Sequence, residues 1–269
     1  MYLAIDIGGT KTLVAVFNSD GQIIEEYKVP TNKNYPDFVE ELGSLIKDKV
    51  THHNLLACCC AVPGELDRKE GIAIRFGNLP WKNTPIKKDL EKIIGHVPIL
   101  IENDAKLAGL SEALSHKQYR KVLYLTVSTG IGDGIIIDGK IDADFADSEP
   151  GQMVLEYQGE LRKWEDFASG RALVTKYGKR ASEIEDPAIW QEFSRGLARG
   201  MIELIATLQP DVIIIGGGVG SHFEKFSPYL KSELAKLEND MVQSPPIIKA
   251  ERPEEAVIYG CYEYVKQTV

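Results

Sequence analysis

The sequence predicts an α/β protein made of two related halves. Short apolar runs of strand length alternate with stretches of helical periodicity. The order strand, glycine turn, strand, Asp-Gly hairpin occurs at the N-terminus and again from Val122 onward. Three apolar runs also end in glycine-rich loops: Gly8-Gly9, Ser128-Thr129-Gly130-Ile131-Gly132 and Gly216-Gly217-Gly218.

Met1–Ile5 reads as a first strand and Thr12–Phe17 as the strand that answers it across a tight glycine turn. Asp20-Gly21 marks a hairpin into Gln22–Val29, the dipeptide that two-residue hairpins favour. Tyr35–Val50 places Phe38, Leu42, Leu45 and Ile46 at helical spacing. Leu55–Val62 is a buried strand stopped by Pro63-Gly64. Pro85–Ile94 is an amphipathic helix that opens with proline, whose fixed φ suits a first turn. Val97–Ile101 is a short buried strand, and Asp104 opens an Ala/Leu-rich helix through Leu114. The second pass runs Val122–Val127, a glycine turn over Ser128–Gly134, Ile135–Ile137 and Asp138-Gly139. It copies the first in organisation, not in residue identity. Trp190–Leu208 is the longest helical pattern, Val212–Ile215 a buried strand, and Glu254–Lys266 a final helix after Pro253. No low-complexity linker divides the halves, so two lobes around a cleft are expected rather than separate beads.

The chain has 269 residues, 43% hydrophobic and 26% charged, an ordinary globular composition. Formal net charge is -9 and the isoelectric point is near 5.2, which argues against nucleic acid or an anionic membrane as partner. No run approaches the ~18 apolar residues of a membrane helix. The N-terminus meets Asp6 too early, and lacks the basic segment, for a secretory signal. The cytoplasm is the expected location. Cys58, Cys59 and Cys60 sit together on an apolar run and Cys261 stands alone. That pattern predicts buried thiols, not a disulfide framework or a zinc site. His52, His53, His96, His116 and His222 are scattered without metal-ligand spacing.

The turn Asp6-Ile7-Gly8-Gly9-Thr10-Lys11 packs a carboxylate, two glycines, a hydroxyl and an ammonium between two strands. Bare N–H groups in such a turn make an anion site, and Asp6 could hold the hydrated Mg²⁺ a phosphate needs. An ATP–Mg²⁺ phosphate loop competes here with an ordinary glycine hairpin. In α/β folds ligands bind beyond the carboxyl ends of strands, so three glycine loops could converge on one nucleotide. The dinucleotide GxGxxG spacing is absent. Asp104, just past a buried strand, is either a helix N-cap or a general base that takes the proton of an attacking hydroxyl. Asn103 beside it could bond sugar hydroxyls.

Taken in order, Asp6-x-Gly-Gly-Thr-Lys11, Val62-Pro63-Gly64, Asn78-Leu79-Pro80-Trp81, Glu102-Asn103-Asp104-Ala105, Ser128-Thr129-Gly130, Glu165-Asp166-Phe167-Ala168-Ser169-Gly170 and Gly216-Gly217-Gly218 closely resemble the ROK family of sugar kinases. The resemblance covers essentially the whole chain. It implies an actin-like (ribonuclease H-like) two-lobed ATPase fold with a central cleft. It implies lobes of residues 1–118 plus 254–269 and of residues 119–253. The activity implied is ATP- and Mg²⁺-dependent phosphorylation of a hexose, at the 6-hydroxyl of glucose or a related sugar, by a homodimer. Carried over by position, Asp104 is the base and Asp6 helps position Mg²⁺. Gly8, Gly9, Thr10, Lys11, Thr129 and Gly130 hold phosphates, and Gly216, Gly217 and Gly218 sit at the adenosine. Asn78, Asn103, Asp104, Glu149 and Glu165 bond the sugar. The family also includes sugar-responsive repressors with a DNA-binding region before the first strand. A phosphate loop that begins at Asp6 predicts none here.

One segment departs from the family pattern. The family usually reads Glu-x-Gly-His, then a Cys-x-Cys-Gly-x-x-Gly-Cys zinc cluster, then Glu. This chain reads Glu149-Pro150-Gly151-Gln152 and reaches Glu165 without a cysteine. Loss of the histidine and the cysteines together predicts a zinc-free branch, with Gln152 offering its own hydrogen bonds to the sugar. The loop before it, Asp142-Ala143-Asp144-Phe145-Ala146-Asp147, is more acidic than the family's, and Ser128 replaces a usual glycine. These changes leave the hexose unnamed, ATP and polyphosphate both open as donors, and a catalytically weak sugar sensor as the alternative. An actin-like ATPase acting on protein partners would leave Asn78–Trp81 and Glu165 unexplained.

Overall fold

The first strand, β1 (Tyr2–Ile7), is central because it is apolar along nearly its whole length. It pairs antiparallel with β2 (Lys11–Phe17), which pairs antiparallel with β3 (Ile23–Pro30). The computed structural model describes residues 1–50, 54–252 and 255–269. The edge strand β3 alternates half-buried and exposed positions and ends on Pro30, which has no N–H to leave unpaired. Helix α1 (Tyr35–Lys49) is capped by the Asn34 side chain, which accepts from the Asp37 N–H, and buries Phe38, Leu42 and Ile46. Strand β4 (Ala57–Val62) lies parallel to β1 and is buried at every position. Its three cysteines are reduced and buried, as their apolar setting predicts, with Cys58 and Cys60 in the core under α1.

Next comes a small antiparallel sheet of β5 (Gly64–Asp67), β6 (Ile72–Phe76) and β7 (Lys82–Thr84), which periodicity did not predict. Helix α2 (Ile86–Ile94), strand β8 (Ile99–Asn103) and helix α3 (Asp104–Ser115) follow. The first large sheet has the order β3-β2-β1-β4-β8, with β8 parallel to β4.

The second sheet repeats that plan. Strand β9 (Lys121–Val127) pairs antiparallel with β10 (Ile131–Ile137), and β11 (Lys140–Ile141) forms the outer edge. The turn is thus Ser128–Gly130, shorter than the sequence predicted, and β10 begins at Ile131. A hairpin of β12 (Val154–Tyr157) and β13 (Glu160–Lys163) leads to α4 (Glu165–Ala168) and α5 (Gly170–Tyr177). The long α6 (Pro187–Leu208) precedes β14 (Val212–Gly216), α7 (Gly217–Gly220), α8 (Phe223–Ala235) and β15 (Ile247–Lys249). Sheet order is β11-β10-β9-β14-β15, with β14 parallel to β9 and to β15. Trp164, fully buried, packs against α6 and donates from Nε1 to the Gly196 carbonyl at 3.1 Å.

The last helix, α9 (Ala256–Thr268), lies against β1 and β4. The sequence start for it, Pro253-Glu254, falls outside the described residues, as do His52 and His53. The chain divides into two compact units, Met1–Ser111 with Glu255–Val269, and Glu112–Glu254. Among the described residues no helix is long and apolar enough to cross a membrane.

Candidate active site

In the first unit the β1–β2 turn is closed by the Gly8 N–H donating to the Lys11 carbonyl at 2.9 Å. Thr31, just past β3, braces it from the side. Its Oγ1 donates to the Gly8 carbonyl at 2.8 Å, and its N–H donates to the Thr10 carbonyl at 3.0 Å. Thr10 and Lys11 point to solvent. Asn78 lies against this turn: a Cβ built on Gly9 would fall 2.7 Å from the Asn78 Cβ. Trp81 anchors that neighbouring segment, buried among Phe38 and Phe76 and donating from Nε1 to the Lys33 carbonyl at 2.8 Å. Asp6 closes β1. Burial, and after it the charge of Asp104, push the Asp6 carboxyl up to about 7.

The β8–α3 junction carries the other group of this unit. Asn103, not Asp104, is the cap of α3. Its Oδ1 accepts from the N–H groups of Ala105 at 2.9 Å and Lys106 at 3.3 Å. Its Nδ2 donates to the Gly64 carbonyl at 3.1 Å. Asp104 Oδ1 accepts from the Ala105 N–H at 2.8 Å. Burial raises the Asp104 pKa, opposed by that N–H and by the charge of Lys106. Behind the junction Glu102, only 2% exposed, takes a bidentate contact from Arg68 at 2.8 and 2.7 Å and accepts from the Asn103 N–H at 2.7 Å. Arg68 lies in the β5–β6 turn, 34 residues away in sequence, so no local pattern could reveal it.

In the second unit the β9–β10 turn is closed by the Ser128 N–H donating to the Gly130 carbonyl at 2.9 Å. The Gly170 N–H donates to the Ser128 carbonyl at 2.6 Å, which ties the start of α5 to this loop. Glu165 lies over it: a Cβ on Gly130 would stand 2.5 Å from Glu165 Oε2. Glu165 Oε1 accepts from Gln152 Nε2 at 2.9 Å and from Arg171 at 3.2 Å. Lys163 donates to Gln152 Oε1 at 2.7 Å. Gln152 and Glu165 are thus brought together, while Glu149 stands exposed at the head of a short turn over Pro150–Gln152. Asp133, buried in β10, takes the hydroxyl of Ser148 at 2.8 and 2.7 Å and so holds the residue next to Glu149.

Beside the same loop is a cavity of about 590 Å³ whose lining includes Ser128, Thr129, Arg171, Arg180, Gly218 and His222. The three glycines of 216–218 divide here. Gly216 and Gly217 are closed off by β9, where added Cβ atoms would fall 2.3 Å from the Tyr124 hydroxyl and 2.7 Å from Thr126 Oγ1. Gly218 alone of the three lines the cavity. Burial, then Lys225 and Lys249, lower the His222 pKa.

The ROK family model matches residues 2–268. The chain belongs to the ROK family. A glucokinase of Streptomyces coelicolor is 27% identical over 81% of each chain. An N-acetyl-D-glucosamine kinase of Vibrio atlanticus is 26% identical over 97% of this chain and 98% of its own. The crystal structure of a ROK hexokinase from Thermus thermophilus superposes with a TM-score of 0.79, at 26% identity, over 99% of both chains. The fold class is therefore the actin-like α/β one that the motifs implied. Among the described residues no group of three or more His, Cys, Asp or Glu side chains is arranged to hold a metal ion. A magnesium ion that keeps its waters and takes phosphate oxygens needs only one or two carboxylates, and the half-buried Asp6 carboxyl, with the charge of Asp104 acting on it, fits that need.

Proposed function

We propose that this ROK protein is an ATP-dependent hexose kinase with Asp104 as its general base. The observation that carries the reading is the division of labour at the β8–α3 junction. Asn103 does the capping, so Asp104 is not required to start the helix. Burial raises its pKa above the ordinary carboxylate value, the direction that strengthens a carboxylate as a proton acceptor. The names of the relatives, kinases of glucose, hexose and N-acetyl-D-glucosamine, support the substrate class.

In the proposed reaction a sugar hydroxyl, the 6-hydroxyl of glucose or a related hexose, gives its proton to Asp104. Its oxygen forms a bond to the γ-phosphorus as the bond to the β–γ bridging oxygen breaks, and ADP leaves. Mg²⁺, positioned by Asp6, would neutralise charge on the phosphates. Gly8, Gly9, Thr10, Lys11, Thr129 and Gly130 hold phosphates, and Gly216–Gly218 form the adenosine loop, with Gly218 at its exposed face. Asn78, Asn103, Glu149, Gln152 and Glu165 bond the sugar. Asn103 does so with what its amide has left after three backbone bonds. The reading includes ATP as donor and a cytoplasmic homodimer.

The alternative is a weakly catalytic sugar sensor. Gln152 favours it, because Glu165 and Lys163 already engage both ends of its amide. Coupled ADP release across a hexose panel separates the two. A kinase turns over at least one sugar, and a sensor binds sugar without releasing ADP.

A further inference from the structure

Arg171 belongs to two places at once. It lines the large cavity beside Ser128, Thr129 and Gly218. It also donates to Glu165 Oε1 at 3.2 Å. Its backbone is fixed, because it follows Gly170, whose N–H is bonded to the Ser128 carbonyl at 2.6 Å. Its side chain is not fully committed: it is 56% exposed, and a guanidinium presents five donors in a planar fork.

The cavity wall is suited to an anion. Arg171 and Arg180 supply positive charge, His222 stands beside them, and the lining includes no carboxylate. Glu165 meanwhile rests on the phosphate loop, its Oε2 in the space a Gly130 Cβ would take. The donor loop, the guanidinium and the sugar-side carboxylate thus form one connected group within the second unit.

Building on the hexose-kinase reading, we infer that Arg171 is a shared contact: it reaches the polyphosphate tail of the donor nucleotide while keeping Glu165 aimed at the sugar. A half-exposed, flexible side chain must be ordered for either task. The first ligand orders it, and the second then finds it in place, so each ligand strengthens the other. By linkage the enhancement is reciprocal.

The test is calorimetric titration of the intact protein with Mg–AMPPNP. It is run alone and with glucose, fructose, mannose or N-acetylglucosamine, on wild type, Arg171→Gln and Arg171→Lys. Wild type should bind nucleotide about fivefold or more tightly once its sugar is present, the lower end of ordinary coupling between sites. Arg171→Gln should lose about tenfold in nucleotide affinity, and its coupling factor should fall to one with its melting temperature unchanged. Arg171→Lys should recover part of the nucleotide affinity but not the coupling, because an ammonium is a point charge without the fork. A purely structural role for Arg171 would not separate those two readouts. Nucleotide affinity and coupling that both survive in Arg171→Gln would overturn the inference. Wild type that binds nucleotide and sugar without mutual enhancement would overturn the coupling alone. Wild type that binds nucleotide but none of the sugars would overturn the kinase reading as well.

Discussion

Burial first, and the negative charge of Asp104 second, push the carboxyl of Asp6 up from 3.8 to about 7. A carboxyl whose folded pKa lies above its unfolded value supports the fold fully below the unfolded value. It loses that support as pH rises through the folded one. Without divalent cation, stability should therefore decline between about pH 4 and pH 7 in the part that Asp6 controls. Asp6→Asn removes the ionisation and should melt higher than wild type at pH 8, by roughly 2–4 °C for each kcal/mol relieved. The two should converge at pH 4. Melting curves that stay parallel across this range would contradict the assignment.

Asp104 and Asn103 should separate cleanly by mutation. Asp104→Asn keeps the shape and the acceptor for the Ala105 N–H, so thermal stability should hold while turnover falls about 10²–10⁴-fold. Asn103→Ala removes the cap and should cost about 0.5–2 kcal/mol of stability, read from a denaturant midpoint.

Glycines near the second-unit loop should respond in three different ways. Gly130→Ala puts a methyl group 2.5 Å from Glu165 Oε2. It should weaken sugar binding tenfold or more through displacement of Glu165, with little loss of fold. Gly217→Ala combines a φ of +81° with a Cβ 2.7 Å from Thr126 Oγ1, and should destabilise the protein outright. The nearest atom to a Cβ on Gly218 is 3.7 Å away, so Gly218→Ala should fold normally and alter nucleotide affinity alone. Thermal shift with and without each ligand distinguishes the three.

Arg68 should matter to both stability and turnover, although no proposed ligand contact involves it. Arg68→Met strips the bidentate partner from Glu102, which is 2% exposed. Leaving a buried charge uncompensated costs about 3–5 kcal/mol, and the Glu102 bond to the Asn103 N–H would loosen beside Asp104. A chemical denaturation midpoint close to wild type would show that water replaces the guanidinium.

The fold was legible where one periodicity ran unbroken. The apolar run into β4 and the spacing of Phe38, Leu42 and Ile46 in α1 could be read directly. The sheet of β5–β7 and the β12–β13 hairpin could not, because their strands of three to five residues are too short to show alternation. Helix α8 contains Pro228, which in sequence reads as a stop. At the site, the residue types of Asp6, Asp104 and Glu165 were visible in local motifs. Their supports were not. In the first unit Thr31 braces the β1–β2 turn and Arg68 holds Glu102 beside the β8–α3 junction, and in the second Lys163 and Arg171 hold Gln152 and Glu165; which of Asn103 and Asp104 caps α3 is decided by side-chain direction.

The most direct test of the central claim is coupled ADP release with ATP–Mg²⁺ across a hexose panel, comparing wild type with Asp104→Asn. The kinase reading predicts sugar-dependent ADP release by wild type, and loss of all but about one part in 10²–10⁴ of it in the variant. Sugar binding by wild type with no ADP release, or turnover that survives in Asp104→Asn, would contradict it.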